Sequence, residues 1–474
     1  MIQIRSLPRL PIFTLLCGLL LSLPTQAQQA VPAAINAETG VVALAPAQLD
    51  PNYWIARLPA PDQTILDRSA IAAQNARMRA QDPHILNLQA LPSPMPGSWV
   101  RQQLTQLSAP PQRALYNAQG QRLSPADLQA LQDSLALPQI PAQQSLRYGL
   151  VTQRSALRTF PTSQRVFSKP GDSDIDRFQE SALFPGTPVV VLHESADRQW
   201  LLVASERYLA WIETRHVAIG SAEQVFGYAS HGPYRVVTGA TVFTAFTPEQ
   251  PQLSRLQLDM GLRLPVIADW PANKPVNGQM PYTSWVLQLP VRGADGQLEF
   301  APALLPRNAD TAADYLPLTP RNLITQSFKF LGERYGWGHD YNSRDCSGFV
   351  SEVYRSFGVL MPRNTGAQAD SPALDRIGFS SDVDLATRLQ TVAQLQTGDL
   401  VYIPGHVMLT LGHDQGMAYM IHDIADGGWA GADGKRISGH LNGVSVTPLE
   451  PMRASDSVSY VEQIRSIQRM RTRR

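Results

Sequence analysis

Apolar positions in the C-terminal third of the chain follow two different periods. Leu323, Ile324, Phe328 and Leu331 recur at helical spacing behind Thr319-Pro320 and stop at Gly332; Phe349, Val350, Val353, Tyr354 and Phe357 recur likewise and stop at Gly358. Each pattern predicts an amphipathic helix closed by a glycine. The runs Asp399–Ile403, His406–Leu411 and Met417–His422 read as strands, the last two joined as a hairpin through Gly412–Gly416.

The first two thirds have a different texture. Ile65, Leu66, Ser69, Ile71, Ala72, Ala76 and Met78 form a helical stripe from Pro61 to about Arg79, with Asp62 placed as its cap. Ser124-Pro125 followed by Asp127 predicts a second helix start. From Arg147 to Ile219 short apolar runs such as Thr187–Leu192, Gln199–Ala204 and Tyr208–Ile212 alternate with turns, as expected of a small barrel. A second stretch of this kind, with Leu262–Ile267 and Trp285–Leu289, runs from about Tyr234 to Pro302. The expected organisation is a signal peptide over 1–27, a leader and helical N-terminal region over 28–145, barrels over 146–220 and 221–316, and a catalytic domain over 317–474.

Length agrees, since 474 residues exceed what one core serves. A net charge of +1 points away from nucleic-acid partners. Arg5 and Arg9, an apolar stretch from Ile12 to Leu23 and Thr25-Gln-Ala27 have the order of an export signal, too short for a stable membrane span. The protein is therefore expected to be exported, periplasmic or secreted; a lipid anchor at Cys17 is the rival, disfavoured by Leu15-Leu16. Residues 28–50, rich in Ala, Pro and Gln, read as a flexible leader, and the arginine-rich end (Arg465, Arg469, Arg471, Arg473, Arg474) as an exposed helix tail.

Removing the export signal leaves one cysteine, Cys346, which cannot form an internal disulfide. It falls at a predicted helix start, where free N–H groups and the helix dipole favour a thiolate and offer an oxyanion hole. Pairing the hairpin symmetrically about Asp414 sets His406 opposite His422, give or take one residue. One imidazole then serves as base (His406, after Pro404-Gly405) and the other as its orienter. The alternatives are an ordinary sheet pair or a zinc site of Cys346, His406 and His422, although no His-x-x-x-His spacing supports a metal. His339-Asp340 and His413-Asp414 read as solvated loop pairs.

Tyr335-Gly-Trp-Gly338, Asp345-Cys-Ser-Gly-Phe349, Met361-Pro-Arg-Asn-Thr365, Thr397-Gly-Asp-Leu400, Gly405-His-Val407 and Ile421-His-Asp423 together resemble the NlpC-type papain-like cell-wall endopeptidases. The resemblance implies a multidomain α+β fold: a papain-like catalytic domain preceded by two small SH3-like β-barrels and a helical N-terminal region. It implies Cys346 as nucleophile, His406 as base and His422 as third residue. Tyr335 would line the site, and Asp345 and Ser347 would hold the free amine of an N-terminal L-alanine. The implied reaction is hydrolysis of peptidoglycan stem peptides at the γ-D-glutamyl–diamino acid bond, without metal or cofactor, in a cleft narrowed by a barrel. An amidase or acyltransferase on the same fold, or a non-catalytic wall-binding protein, are the other readings. His339 departs from the family pattern, which has a small residue there.

Overall fold

The computed structural model describes residues 34–230, 232–431 and 435–471. The export signal with Cys17, and the last arginines Arg473 and Arg474, lie outside the described residues.

After a short helical turn at Pro51–Ile55 come three longer helices: α1 (Arg68–Gln81), α2 (Gly97–Leu107) and α3 (Pro125–Ser134). α3 begins as its sequence dictates, with Ser124 and Asp127 forming a reciprocal capping box and Pro125 in the first turn. α1 begins later than its stripe suggests. Asp67, not Asp62, caps it by accepting from Ala70 N–H. Asp62 is instead paired with Arg321 at 2.6 Å, and Leu66 bridges to Leu318, so the first apolar residues of the stripe are extended.

Seven antiparallel strands follow: β1 (Arg147–Val151), β2 (Ser155–Arg158), β3 (Gln179–Leu183), β4 (Pro188–Glu194), β5 (Trp200–Ala204), β6 (Leu209–Glu213) and β7 (Val217–Gly220). They form one sheet in the order β7-β1-β4-β5-β6-β2-β3. The unbroken apolar run in β4 has a physical reason. Val189 and Val191 join one core with Val203 and Ile212, while Val190 and Leu192 face another with Val100, Leu104 and Trp211. Both faces are buried, so the usual polar alternation is lost. The second β unit is more open. Three small sheets, including the long hairpin Ser284–Arg292 with Leu298–Pro306, share a core around Leu258, Leu264, Leu287 and Leu305.

The C-terminal domain opens with α4 (Pro320–Phe328) and α5 (Cys346–Arg355). Its antiparallel sheet contains β8 (Asp375–Gly378), β9 (Leu400–Ile403), β10 (His406–Asp414), β11 (Met417–Ile424), β12 (Gly443–Pro448) and β13 (Ser466–Arg469), ordered β8-β13-β9-β10-β11-β12. Phe349, Val350 and Val353 of α5 pack into one core with Val407, Leu409 and Ile421 of the sheet.

Three expectations are corrected here. The described part of the leader is not free: Val42 and Leu44 are buried in this domain's core, and the Trp54 and Tyr419 rings lie 5.1 Å apart. The His413-Asp414 pair is not merely solvated, because Gln48 Nε2 and Tyr53 Oη both donate to Asp414 Oδ2 at 2.7 Å. The described arginine-rich end is no helix tail. Ser466–Arg469 is an inner strand, with Arg469 paired to Asp375 at 2.8 Å and Arg471 to Asp399 at 2.6 Å. Ile467, fully buried, anchors that strand, and the arginines are drawn to carboxylates along the sheet. No helix among the described residues is long and apolar enough to cross a membrane.

Candidate active site

Cys346 is the first residue of α5, and Asp345 is the N-cap. Asp345 Oδ1 accepts from Gly348 N–H at 2.7 Å, from Ser347 Oγ at 3.2 Å and from Arg363 Nη1 at 3.1 Å. Its Oδ2 accepts from Gly338 N–H at 3.0 Å and Arg363 Nη2 at 2.8 Å. Burial works against this charge, yet Arg363 beside it holds the carboxyl down to about 2. One ionised side chain thus caps the helix and ties it to the preceding loop.

Sγ of Cys346 lies 3.5 Å from Thr365 Oγ1 and 4.0 Å from the carbonyl oxygen of Gly405, the residue before His406. His406 Nε2 is 2.7 Å from His422 Nδ1, and His422 Nε2 is 2.9 Å from Thr447 Oγ1. One proton arrangement leaves His406 Nδ1 unprotonated and able to accept a proton. His406 Nε2–H donates to His422 Nδ1, and His422 Nε2–H donates to Thr447. Burial pushes the Cys346 thiol up to about 12, and Asp345 adds to this. Burial alone pulls His406 down to about 4, while burial and then His406 take His422 well below the usual imidazole range. The resting site therefore holds a neutral thiol and two neutral imidazoles.

The two histidines meet on a diagonal, not directly opposite. The turn is two residues, Gln415-Gly416, both with positive φ, and a bulge follows Thr410. The resulting register carries His422 opposite Met408, two positions from His406 and on the same face.

Tyr335 is buried beside Cys346 and Asp345; burial, then those two neighbours, raise its phenol. Ser347 is also buried, its Oγ accepting from Arg363 Nη1 at 2.9 Å. Asp345 and Ser347 thus stand beneath the thiol with their bonds made inside the protein. Among the described residues no three His, Cys, Asp or Glu side chains are grouped as metal ligands.

His339-Asp340 also departs from the solvated-loop expectation. Asp340 pairs with Arg165, and His339 is only 3% exposed. Arg363 Nη2 donates to His339 Nδ1 at 2.7 Å, so its Nε2–H donates to Glu352 at 2.9 Å. Burial and Arg363 hold this imidazole neutral, its value pulled down to about 3. The large side chain fits where the family has a small one because Gly348 leaves room: a Cβ there would come within 2.6 Å of the ring. Gly338, His339, Tyr341 and Asn342 all have positive φ, and Arg154 of the first β unit fastens this left-handed loop. Arg154 donates to His339 O and Asn342 Oδ1, each at 3.1 Å, and to Ser343 O at 2.6 Å. β3 adds Gln179, which donates to Gly338 O at 2.8 Å, and Ser181, which accepts from Arg363 Nε at 2.7 Å.

Thr447, Arg363, Ser181 and Gln179 were not singled out from the sequence. Arg363 stood in a recognised run, but neither spacing nor period links the others to Cys346. The first β unit also brings Tyr208, whose hydroxyl donates to Glu180 and neighbours Asn364, next to the Thr365 that touches the thiol.

Asp423, on β11 beside this site, has both carboxylate oxygens buried without a partner among the described residues. Burial, reinforced by Asp345 and Glu333, raises it well above the usual carboxylate range. The folded protein therefore keeps a proton that the unfolded chain releases near pH 4. Folding is penalised above that pH, increasingly so until the folded-state value is passed. Asp423→Asn is expected to be about 1–3 kcal/mol more stable at pH 7 and nearly unchanged at pH 3.5. Urea unfolding at both pH values checks this, and an equal shift at both would contradict it.

Residues 332–428 match the model of the NlpC/P60 family, and residues 165–213 that of the SH3 domain of SH3b1 type. The chain is similar to a γ-D-glutamyl-L-lysine dipeptidyl-peptidase of Bacillus cereus, 26% identical over 264 residues, covering 53% of this chain and 65% of the relative. It is also similar to a probable endopeptidase p60 of Listeria welshimeri, 34% identical over 99 residues, which is 20% of this chain and 16% of the relative. The chain thus spans less than two thirds of either relative. A solved structure of an NlpC/P60 endopeptidase from Photobacterium damselae subsp. piscicida matches with a TM-score of 0.70 at 17% identity, covering 89% of this chain and 97% of that one. At that identity the likeness is one of fold.

Proposed function

The chain carries an NlpC-type peptidase domain with an SH3 domain ahead of it, and we propose that it is an exported cysteine endopeptidase acting on peptidoglycan stem peptides. The bond we assign is the one between γ-D-glutamate and a diamino acid. The observation that carries this reading is Cys346 at the first position of α5, its sulfur 4.0 Å from the carbonyl of the residue before His406, together with the hydrogen-bonded line from His406 through His422 to Thr447.

Cys346 Sγ attacks the carbonyl as His406 Nδ1 takes the thiol proton. The N–H groups of Cys346 and Ser347, first in the helix, face the developing oxyanion. The amine leaves with the proton from His406, and the acyl group stays as a thioester on Cys346. Water then attacks the thioester, giving its proton to His406, and the carboxylic acid leaves as the thiol is restored. Because the resting pair is neutral, this proton transfer belongs to the reaction and not to a preformed thiolate.

The first β unit forms one wall of the approach, which suits a peptide with a free end. Asp345 already accepts five hydrogen bonds inside the protein, whereas Glu180 accepts one at each oxygen, from Thr159 and Tyr208, so we assign the free amine to Glu180, with Asn364 nearby. Tyr335 packs against the thiol and shapes the floor.

Mass spectrometry of the purified protein with free L-Ala–γ-D-Glu–diaminopimelate peptide and with intact sacculi tests the assignment. The expected products are the L-Ala–γ-D-Glu dipeptide and a diamino acid with a new free amine. Loss of the sugar–peptide link would instead identify an amidase. No cleavage of either substrate would leave a wall-binding protein.

Thr447 orients the line through His422. Thr447→Val keeps the shape but removes the acceptor that fixes the His422 tautomer. A fall of about tenfold in kcat with KM little changed is expected, and Thr447→Ser should restore most of it. A change confined to KM would count against the orienting role.

A further inference from the structure

An open cavity of about 730 Å³ is bounded by the end of α1, residues 86–89, the first β unit and the C-terminal end of α5, and it shares Ser181, Tyr208 and Arg363 with the surroundings of the candidate site. Neither Cys346 nor His406 lines it. Its walls carry four arginines, Arg79, Arg207, Arg355 and Arg363, against a single acid, Glu206. Three of the four are engaged. Arg79 pairs with Glu206 at 2.8 Å, and Arg363 pairs with Asp345 at 2.8 Å. Arg355 Nε donates to Met260 O at 2.9 Å, and its guanidinium lies 4.6 Å from the Phe184 ring centre.

Arg207 stands apart. Its one hydrogen bond is a long 3.4 Å contact from Nη1 to Met361 O, and it has no ion pair among the described residues. A guanidinium has five N–H donors; Arg207 is half-buried, and the donors that do not meet Met361 O are left to solvent at the cavity wall, where an anion can accept them. Burial, then Arg355 and Arg363, pull it down to about 10, so the surroundings disfavour its charge. The remaining wall is largely apolar, with Leu183, Phe184, Phe226 and Leu360. The size falls within the range of small-molecule pockets.

We infer that this cavity is a second binding site, for a small organic anion whose carboxylate or phosphate group sits on Arg207 between Arg355 and Arg363, with its apolar body against Phe184 and Leu360. Such an anion accepts the idle donors and separates three like charges. Arg363 also holds Asp345, so the ligand's charge lies one residue from the cap of the nucleophile's helix. The site does not depend on the peptidase reading, because its evidence is the cavity and its charges.

Thermal melts and calorimetry of the full chain at constant ionic strength test it, with three probes: inorganic phosphate, N-acetyl-leucine and the neutral N-acetyl-leucine amide. At least one of the two anions should bind and raise the melting temperature, and the amide should not. Phosphate alone acting would identify a phosphoryl ligand, and N-acetyl-leucine alone a carboxylate. Arg207→Gln should weaken binding at least tenfold; should that variant not fold, Arg207→Lys, which retains the charge without the fork, should bind several-fold more weakly than the wild type. Failure of both anions to bind, or binding unaltered by the substitution, would overturn the inference.

Discussion

Cys346→Ala should lower the rate of stem-peptide cleavage by at least about 10⁴-fold while leaving the fold in place. The side chain is 5% exposed, and its polar contacts are the long ones to Thr365 and Gly405 O. Its loss removes one sulfur atom from the core, a modest change in packing. Asp345 goes on capping α5, since its partners are Gly348, Ser347, Gly338 and Arg363 and none is the thiol. The separation is therefore sharp: far-ultraviolet circular dichroism and melting temperature near wild type, and no released dipeptide. A variant retaining activity within tenfold of wild type would remove Cys346 from the mechanism. His406→Ala is expected to fall nearly as far, because a thiol pushed up to about 12 has no other route for its proton.

Arg344→Met should produce the largest loss of stability, about 3–5 kcal/mol. Arg344 is almost wholly enclosed, and it joins the second β unit to the C-terminal domain. Its guanidinium reaches Asp259 at 2.6 Å, Glu333 at 2.9 Å and Glu352 at 3.0 Å, and it also donates to Ala240 O at 2.8 Å. Asp259 and Glu352 are just as deeply enclosed. Burial alone would raise Glu352, yet Arg344 and then the His339 bond draw it far below the ordinary carboxylate range. Removing the cation leaves two carboxylates in a poorly solvated interior, and they must then take up protons or find water. The penalty belongs to stranded charge and not to a net gain from the pairs. Arg344→Met combined with Asp259→Asn and Glu352→Gln should therefore recover much of the loss. Denaturant unfolding of the single and triple variants separates these cases, and strict additivity would refute the account.

Local rules made much of the site legible. Asp345 and the run from Phe349 to Phe357 set where α5 begins and which face it buries. Hydrophobic period marked β9, β10 and β11, and with them both histidines. Register escaped because it was fixed by two features a symmetric hairpin does not contain, the tight Gln415-Gly416 turn and the bulge after Thr410. Thr447 escaped because it reaches His422 from a neighbouring strand with no motif around it. Arg154, Gln179, Ser181 and Arg344 work across units, and nothing in local sequence encodes which distant loop a side chain meets. His339 looked like a solvated loop residue because polarity was weighed without the vacancy beside Gly348. The inner position of β13 was hidden by its one arginine, Arg469, and the flanking Arg465 and Arg471, whose charge suggested surface although each long side chain reaches a carboxylate.

The bonds that fasten the loop before Cys346 run back 159 residues to Gln179, 182 for Ser181–Arg363 and 189 for Arg154–Ser343. A polypeptide that emerges from its N-terminus, whether from the ribosome or across a membrane, folds its N-terminal units first. The first β unit is therefore able to form before Cys346 has emerged, and the loop docks onto a surface already made. His406, His422 and Thr447 follow in that order, so the hydrogen-bonded line among them closes only when the last part of the chain emerges. On the proposed mechanism a chain interrupted before His406 holds a thiol without its base, and the order of synthesis itself keeps so short a molecule from cutting.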